Sequence, residues 1–165
     1  MYRFIIDETK DEYDIYINLI SSLAGVYLSR RPYVIALIKE LLSNKELSGK
    51  RVVIEQDMGR DIGTTDVVST NIKDTIYYAL PLKSKVFSRF AKNRRPKVSS
   101  TLTVVLNRDT DNNYEVTNVW IGADYPAFPG DEHATAESRE YWKTHALVQD
   151  ALLIQSKSIT KLCPY

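Results

Sequence analysis

Apolar residues near the start of the chain keep helical spacing. Ile15, Leu19, Ile20, Leu23 and Val26 form one such series, and Asp11, Glu12 and Asp14 crowd its first turn, where the helix dipole favours acids. Arg30-Arg31-Pro32 interrupts the run. Pro32 suits the first position of a second helix, because the N–H it lacks has no intrahelical partner there. Val34, Leu37, Ile38, Leu41 and Leu42 then make an apolar stripe, and Gly49 closes the region. Residues from about Lys10 to Leu47 are thus read as helical.

From Arg51 the period shifts towards two. Val52-Val53-Ile54 reads as a short strand and Asp66 to Thr70 as a weaker one. Thr75 to Leu80 is aromatic and β-branched, and Ser99 to Leu106 is the strongest strand pattern in the chain. Asp109-Thr110-Asp111-Asn112-Asn113 is a turn cluster, so Tyr114 to Ile121 is expected back as the second arm of a hairpin. Asp124 to Glu132 reads as a loop and Ala136 to Val148 as a helix. The residues from Ser156 read as a weak strand or a frayed tail. No repeat or linker divides the chain. The expectation is one α+β domain over residues 1–165: a helical portion at about 1–48 packed on a small, mainly antiparallel sheet at about 50–155, with one C-terminal helix.

Composition narrows the chemistry. The 22 Lys and Arg nearly balance 21 Asp and Glu, leaving +1, so any nucleic-acid site must be a local patch. One cysteine, Cys163, excludes a disulfide scaffold, and two histidines argue against a His-rich metal centre. The first residues turn acidic too soon for a signal peptide. The stretch Ile15–Ser29 is too short and too polar to span a bilayer. A soluble cytoplasmic protein without a membrane partner is expected.

The local patch exists. Lys83 to Lys97 holds Lys83, Lys85, Arg89, Lys92, Arg94, Arg95 and Lys97 without an acid, and Phe87 and Phe90 lie among them. Clustered cations attract phosphate, Arg grips two of its oxygens, and aromatic rings stack on unpaired bases. The structural alternative is a solvated loop with both Phe rings in the core. A second feature is Tyr141 to Val148, where His145 is suited to proton transfer near neutral pH. In a helix Trp142 would share its face. The alternative is a hydrogen-bonded histidine at a helix end. In Gln56 to Asp66, Gly59 and Gly63 could turn backbone N–H groups towards an anion, though the Gly-Lys-Ser/Thr ending of a nucleotide loop is missing. A tight connection serves equally. Asp131, Glu132 and His133 match no metal-binding spacing, and no Gly-x-Ser-x-Gly elbow is present.

Taken in order, Met58 to Asp66, Phe90 to Arg94, Ser99 to Thr103, Trp120-Ile121-Gly122 and Glu140 to Val148 resemble a group of small uncharacterised bacterial proteins, over roughly Glu55 to Val148. More loosely, the pattern is similar to the barnase–EndoU–colicin–RelE (BECR) class of metal-independent ribonuclease toxins. In that class helices precede a small antiparallel sheet whose polar face cuts RNA. Leu80-Pro81-Leu82 departs from the resemblance, standing where a basic run is expected.

The resemblance implies a toxin-type endoribonuclease, a hydrolase of RNA that needs no metal or cofactor. The substrate's own 2′-hydroxyl attacks the phosphorus, and the protein moves two protons and stabilises negative charge. On this reading His145 transfers a proton, Arg89, Lys92 and Arg94 hold the phosphate, and Ser100 or Thr103 bonds a non-bridging oxygen. Those two face opposite sides of a regular strand, so only one can line the site, and Ser100 is taken first. Trp142 or Phe90 stacks a base. The partners implied are RNA and a toxin–antitoxin partner, that is, an antitoxin or inhibitor protein. The rival reading is a non-catalytic module that binds nucleic acid or protein, such as a phage- or plasmid-borne inhibitor of a host system. A metal-dependent enzyme using Asp131, Glu132 and His133 is a third.

Overall fold

Residues 2–4, 15–17, 31–43 and 45–165 are described in the computed structural model of the chain. In chain order the elements are β1 Tyr2–Phe4, β2 Ile15–Ile17, α1 Arg31–Leu42, β3 Arg51–Asp57, β4 Gly63–Thr65, β5 Val67–Ser69, β6 Ile76–Ala79, β7 Ser88–Ala91, β8 Lys97–Ser99, β9 Thr101–Arg108, β10 Tyr114–Ile121, α2 Ala136–Thr144 and β11 His145–Val148. A single 3-10 turn, Ser156–Ser158, follows. The class is α+β, with two helices and small, mostly antiparallel sheets among the described residues.

The chain divides into two compact units. Unit 1 takes Met1–Ile62 and Ser100–Ala123, and unit 2 takes Gly63–Ser99 and Asp124–Tyr165. In unit 1 the sheet order is β1-β2-β10-β9-β3. The β9–β10 hairpin is made by the expected turn. The Asp109 carboxylate accepts from the backbone N–H of Asp111 (2.8 Å) and Asn113 (2.9 Å), and Asn112 takes a left-handed conformation at φ 64°. Helix α1 buries Val34, Ile35, Leu37, Ile38, Leu41 and Leu42 in one cluster with Leu102, Val104 and Leu106 of β9 and Tyr114 and Val116 of β10. That is the apolar stripe predicted from spacing.

In unit 2 the order is β5-β11-β7-β6, with β4–β8 as a separate pair. Ala79, Phe90 and Leu147 form its core, joined by Val67, Tyr77, Phe128, Ala151 and Ile154. Helix α2 starts at a capping box in which Thr135 and Ser138 satisfy each other's backbone N–H.

Several expectations are corrected or narrowed. Ile15–Ile17, read as helical, is a strand pairing with β1 and, in parallel, with β10. Ile-Tyr-Ile suits a pleated surface as well as a helix face, and pairing decides. The rest of that predicted helix lies outside the described residues. Helix α2 stops at Thr144, and His145–Val148 becomes a strand between β5 and β7, because a two-sided sheet slot outweighs the weak helix preference of His-Ala-Leu-Val. Strand β7 lies inside the basic segment, for which a solvated loop was the structural alternative. The predicted strand Ser99–Leu106 breaks at Ser100, where the chain passes from unit 2 into unit 1. The tail is fastened rather than frayed. Thr160 bridges Tyr78, Ile154 bridges Pro81, and Gln155 Nε2 donates to the carbonyls of Pro81 and Ser84 (both 3.1 Å). Among the described residues no helix is long and apolar enough to cross a membrane.

Candidate anion-binding site

Strand β7 sorts its residues by alternation. Ser88 and Phe90 are buried, and Phe90 stacks on Tyr77 with ring centroids 5.2 Å apart. Arg89 belongs to the opposite face, in register with Tyr78 of β6. Its Nη1 donates to Thr70 Oγ1 (2.9 Å) and to the His145 carbonyl (2.8 Å). Both Nη1 hydrogens are thereby used. The guanidinium is held in one orientation with its Nε and Nη2 edge left for other acceptors, among them the Tyr78 hydroxyl.

Arg89 and Tyr78 open onto a cavity of about 490 Å³. Helix α2 adds Arg139 and Lys143, four residues apart and so on one face, with Trp142 between them. The tail adds Cys163 and Tyr165, and Pro129 completes the wall. No Asp or Glu side chain lines the cavity. Among the described residues no acid pairs with Arg89 or Arg139. Lys143 meets Glu140 at 2.6 Å, but both side chains are well exposed and such a pair is weakly held. Burial pushes the Tyr78 phenol up, the Cys163 thiol beside it adds to this, and Arg89 opposes it. Burial also pushes the Tyr165 phenol far up. Two neutral O–H donors and three cations therefore face one space, a setting that favours a bound anion.

The residues singled out in the sequence are dispersed. Arg89 lines the cavity. Trp142 is 2% exposed. Its indole N–H donates to the Pro126 carbonyl (3.0 Å) and its ring packs on Phe128 (4.4 Å), so it is a floor rather than an open stacking platform. Phe90 is wholly buried and has no free face for a base. Arg94 grips the Asp74 carboxylate through Nε (2.7 Å) and Nη2 (3.0 Å), so the phosphate role expected of it is already filled by a carboxylate of the chain. That bond, with the Asn71 backbone N–H, holds Asp74 at about 2. Lys92 lines a separate cavity of about 560 Å³, shared with Asp66 and Asp150 and hence mixed in charge.

Ser100 and Thr103 belong to unit 1. The Asp57 carboxylate is lowered by the Gly59 N–H and then by the Ser100 hydroxyl. Thr103, fully buried, donates to the Gly122 carbonyl (2.8 Å). His145 begins β11, not the last turn of a helix. What Arg89 reaches is its main-chain carbonyl. Leu147 is in register with Phe90, so the imidazole shares a strand face with Leu147, opposite Arg89. The half-buried ring stacks on Tyr141 (3.9 Å) and its Nδ1 lies 3.0 Å from the Tyr141 carbonyl. Thr144 Oγ1 lies at the same distance from Nδ1, so this nitrogen is engaged by both groups. In the loop read as a metal alternative, Asp131 accepts from the His133 N–H (2.8 Å), and Glu132 and His133 are strongly exposed. Among the described residues no group of three or more metal-ligating side chains forms.

Tyr78, Arg139, Lys143, Cys163 and Tyr165 escaped sequence reasoning. One signal was available: two cations four apart around a tryptophan place a charged rim over an aromatic floor. Comparison with protein-family profiles, with curated proteins and with solved structures finds no match to this chain.

Proposed function

We propose that this chain is a metal-independent endoribonuclease of toxin type, with unit 2 receiving the scissile phosphate. The observation that carries the reading is the cavity, free of Asp and Glu side chains, that Arg89, Arg139 and Lys143 line together with Tyr78 and Tyr165. Cleavage of RNA without metal breaks the bond from phosphorus to the 5′-oxygen as the 2′-oxygen adds. The base takes the 2′-hydroxyl proton, and an acid returns one to the 5′-oxygen. The three cations offset the charge that builds on the non-bridging oxygens. Tyr78 and Tyr165 carry hydroxyls that can donate hydrogen bonds to the phosphate oxygens. The sequence assigns the base to His145, whose imidazole stands on the strand face opposite Arg89 and does not line this cavity. An antitoxin or inhibitor protein is the natural partner on this reading.

One observation favours the second reading, a module that binds RNA without cutting it: the imidazole does not line the cavity. Incubation of a defined RNA in EDTA separates the two. The nuclease reading expects cleavage that His145→Ala lowers at least a hundredfold, and growth arrest on expression that the same variant relieves. Binding without cleavage, or arrest that His145→Ala leaves intact, selects the module.

A further inference from the structure

The cavity holds more than a phosphate grip. At about 490 Å³ it is many times the volume of one water molecule and falls in the range of sites that enclose a whole small molecule. One part of its lining is cationic and preset, since Arg89 is locked by Thr70 and the His145 carbonyl before any ligand arrives. The remainder is aromatic. Tyr78 and Tyr165 meet edge to face with centroids 5.7 Å apart. A β-carbon on Gly130 would meet the Tyr165 ring at 3.8 Å, an ordinary contact, so the ring lies beside this glycine with room for a methyl group between. Cys163 Sγ donates to the main-chain oxygen of Tyr165 (3.0 Å), and the Thr160–Tyr78 bridge fastens the segment that carries both. A free phosphate would leave the tyrosine walls unused, and an apolar ligand would leave three cations unpaired.

We propose that this cavity binds one nucleotide, its phosphate held by Arg89, Arg139 and Lys143 and its base against the tyrosine walls supplied by β6 and the C-terminal segment. The inference deepens the ribonuclease reading by naming the piece of substrate that the site encloses, and it is read without cleavage. The ligand chemistry is a nucleoside phosphate, either free or within an RNA chain. Titration calorimetry of the His145→Ala protein with adenosine 5′-monophosphate, adenosine and inorganic phosphate tests it. The nucleotide is expected to bind at least tenfold more tightly than either fragment. Arg139→Ala, a change on an exposed helix face, weakens it at least tenfold. Tyr165→Ala brings its affinity down towards that of phosphate. Circular dichroism checks that each variant keeps its fold, and Arg139→Lys, which keeps the charge, restores part of the affinity. Competition by an unphosphorylated RNA oligomer assigns the bound nucleotide to a chain, and its absence assigns it to a free nucleotide. Equal binding of nucleotide and phosphate, or indifference to Arg139→Ala, overturns the inference. Cleavage that persists without mononucleotide binding removes this inference and spares the nuclease. Mononucleotide binding without any cleavage does the reverse.

Discussion

The two units spend their side chains differently. Among its described residues unit 1 buries aliphatic side chains from one helix against a central strand, and several of its polar groups close on each other: Thr103 on the Gly122 carbonyl, the Tyr114 hydroxyl on the Gly49 carbonyl, Arg60 on Glu40. Unit 2 has a smaller core, and residues around it keep cations and phenols turned to open space. The cavities of about 560, 490 and 370 Å³ are all lined by unit 2 alone. A region whose polar groups are mutually satisfied contributes stability and offers a ligand little. A region that leaves donors poised gives up some stability to retain binding capacity.

That contrast breaks first at the large buried side chains. Trp142→Ala removes the floor of the cavity and the ring stacked with Phe128, and should cost about 3–5 kcal/mol in denaturant unfolding while also abolishing nucleotide binding. Leu37→Ala in unit 1 should cost about 2–5 kcal/mol and leave binding by the folded fraction unchanged. A Trp142→Ala protein with wild-type affinity would separate the cavity from the site. Thr103→Val is a smaller change. It leaves the Gly122 carbonyl unsatisfied and should cost about 1–3 kcal/mol, with no effect on RNA.

The subtlest expectation concerns acid. The carboxyl of Asp74, at about 2, lies below its ordinary 3.8 because Arg94 bonds it. A lowered carboxylate stabilises the fold above its unfolded value and loses that contribution as pH falls through its folded one. Thermal unfolding followed from pH 5 to pH 2 should therefore show a loss across the window from about 3.8 to about 2 that Asp74→Asn removes. An unchanged pH profile would show that the Arg94 bond carries no stability.

Much of unit 1 was legible because its signals are local. The α1 stripe follows from spacing, and the hairpin follows from Asp109 and Asn112, whose turn chemistry acts within five residues. Unit 2 was harder for a physical reason. Charge concealed β7, in which Phe90 alternates inward between cations. His145-Ala-Leu-Val is helical by composition and became a strand because β5 and β7 leave a slot for it. The candidate site joins Tyr78, Arg89, Arg139, Lys143 and Tyr165, positions spread across the unit of which spacing relates Arg139 and Lys143 alone. Arg94 and Phe90 carried the right chemistry for a phosphate and a base, and they were already committed to Asp74 and Tyr77.

The central claim is that unit 2 grips phosphate through this cavity while unit 1 does not. Its most direct test is the salt dependence of binding to a single-stranded RNA. Removing one cation that neutralises a phosphate should flatten the slope of log affinity against log salt by about 0.7. The Arg139→Ala/Lys143→Ala protein is predicted to flatten it by about 1.4, and Arg51→Ala in unit 1 to leave it unchanged. Equal slopes for the wild type and the double variant, or an equal flattening by Arg51→Ala, would contradict the account.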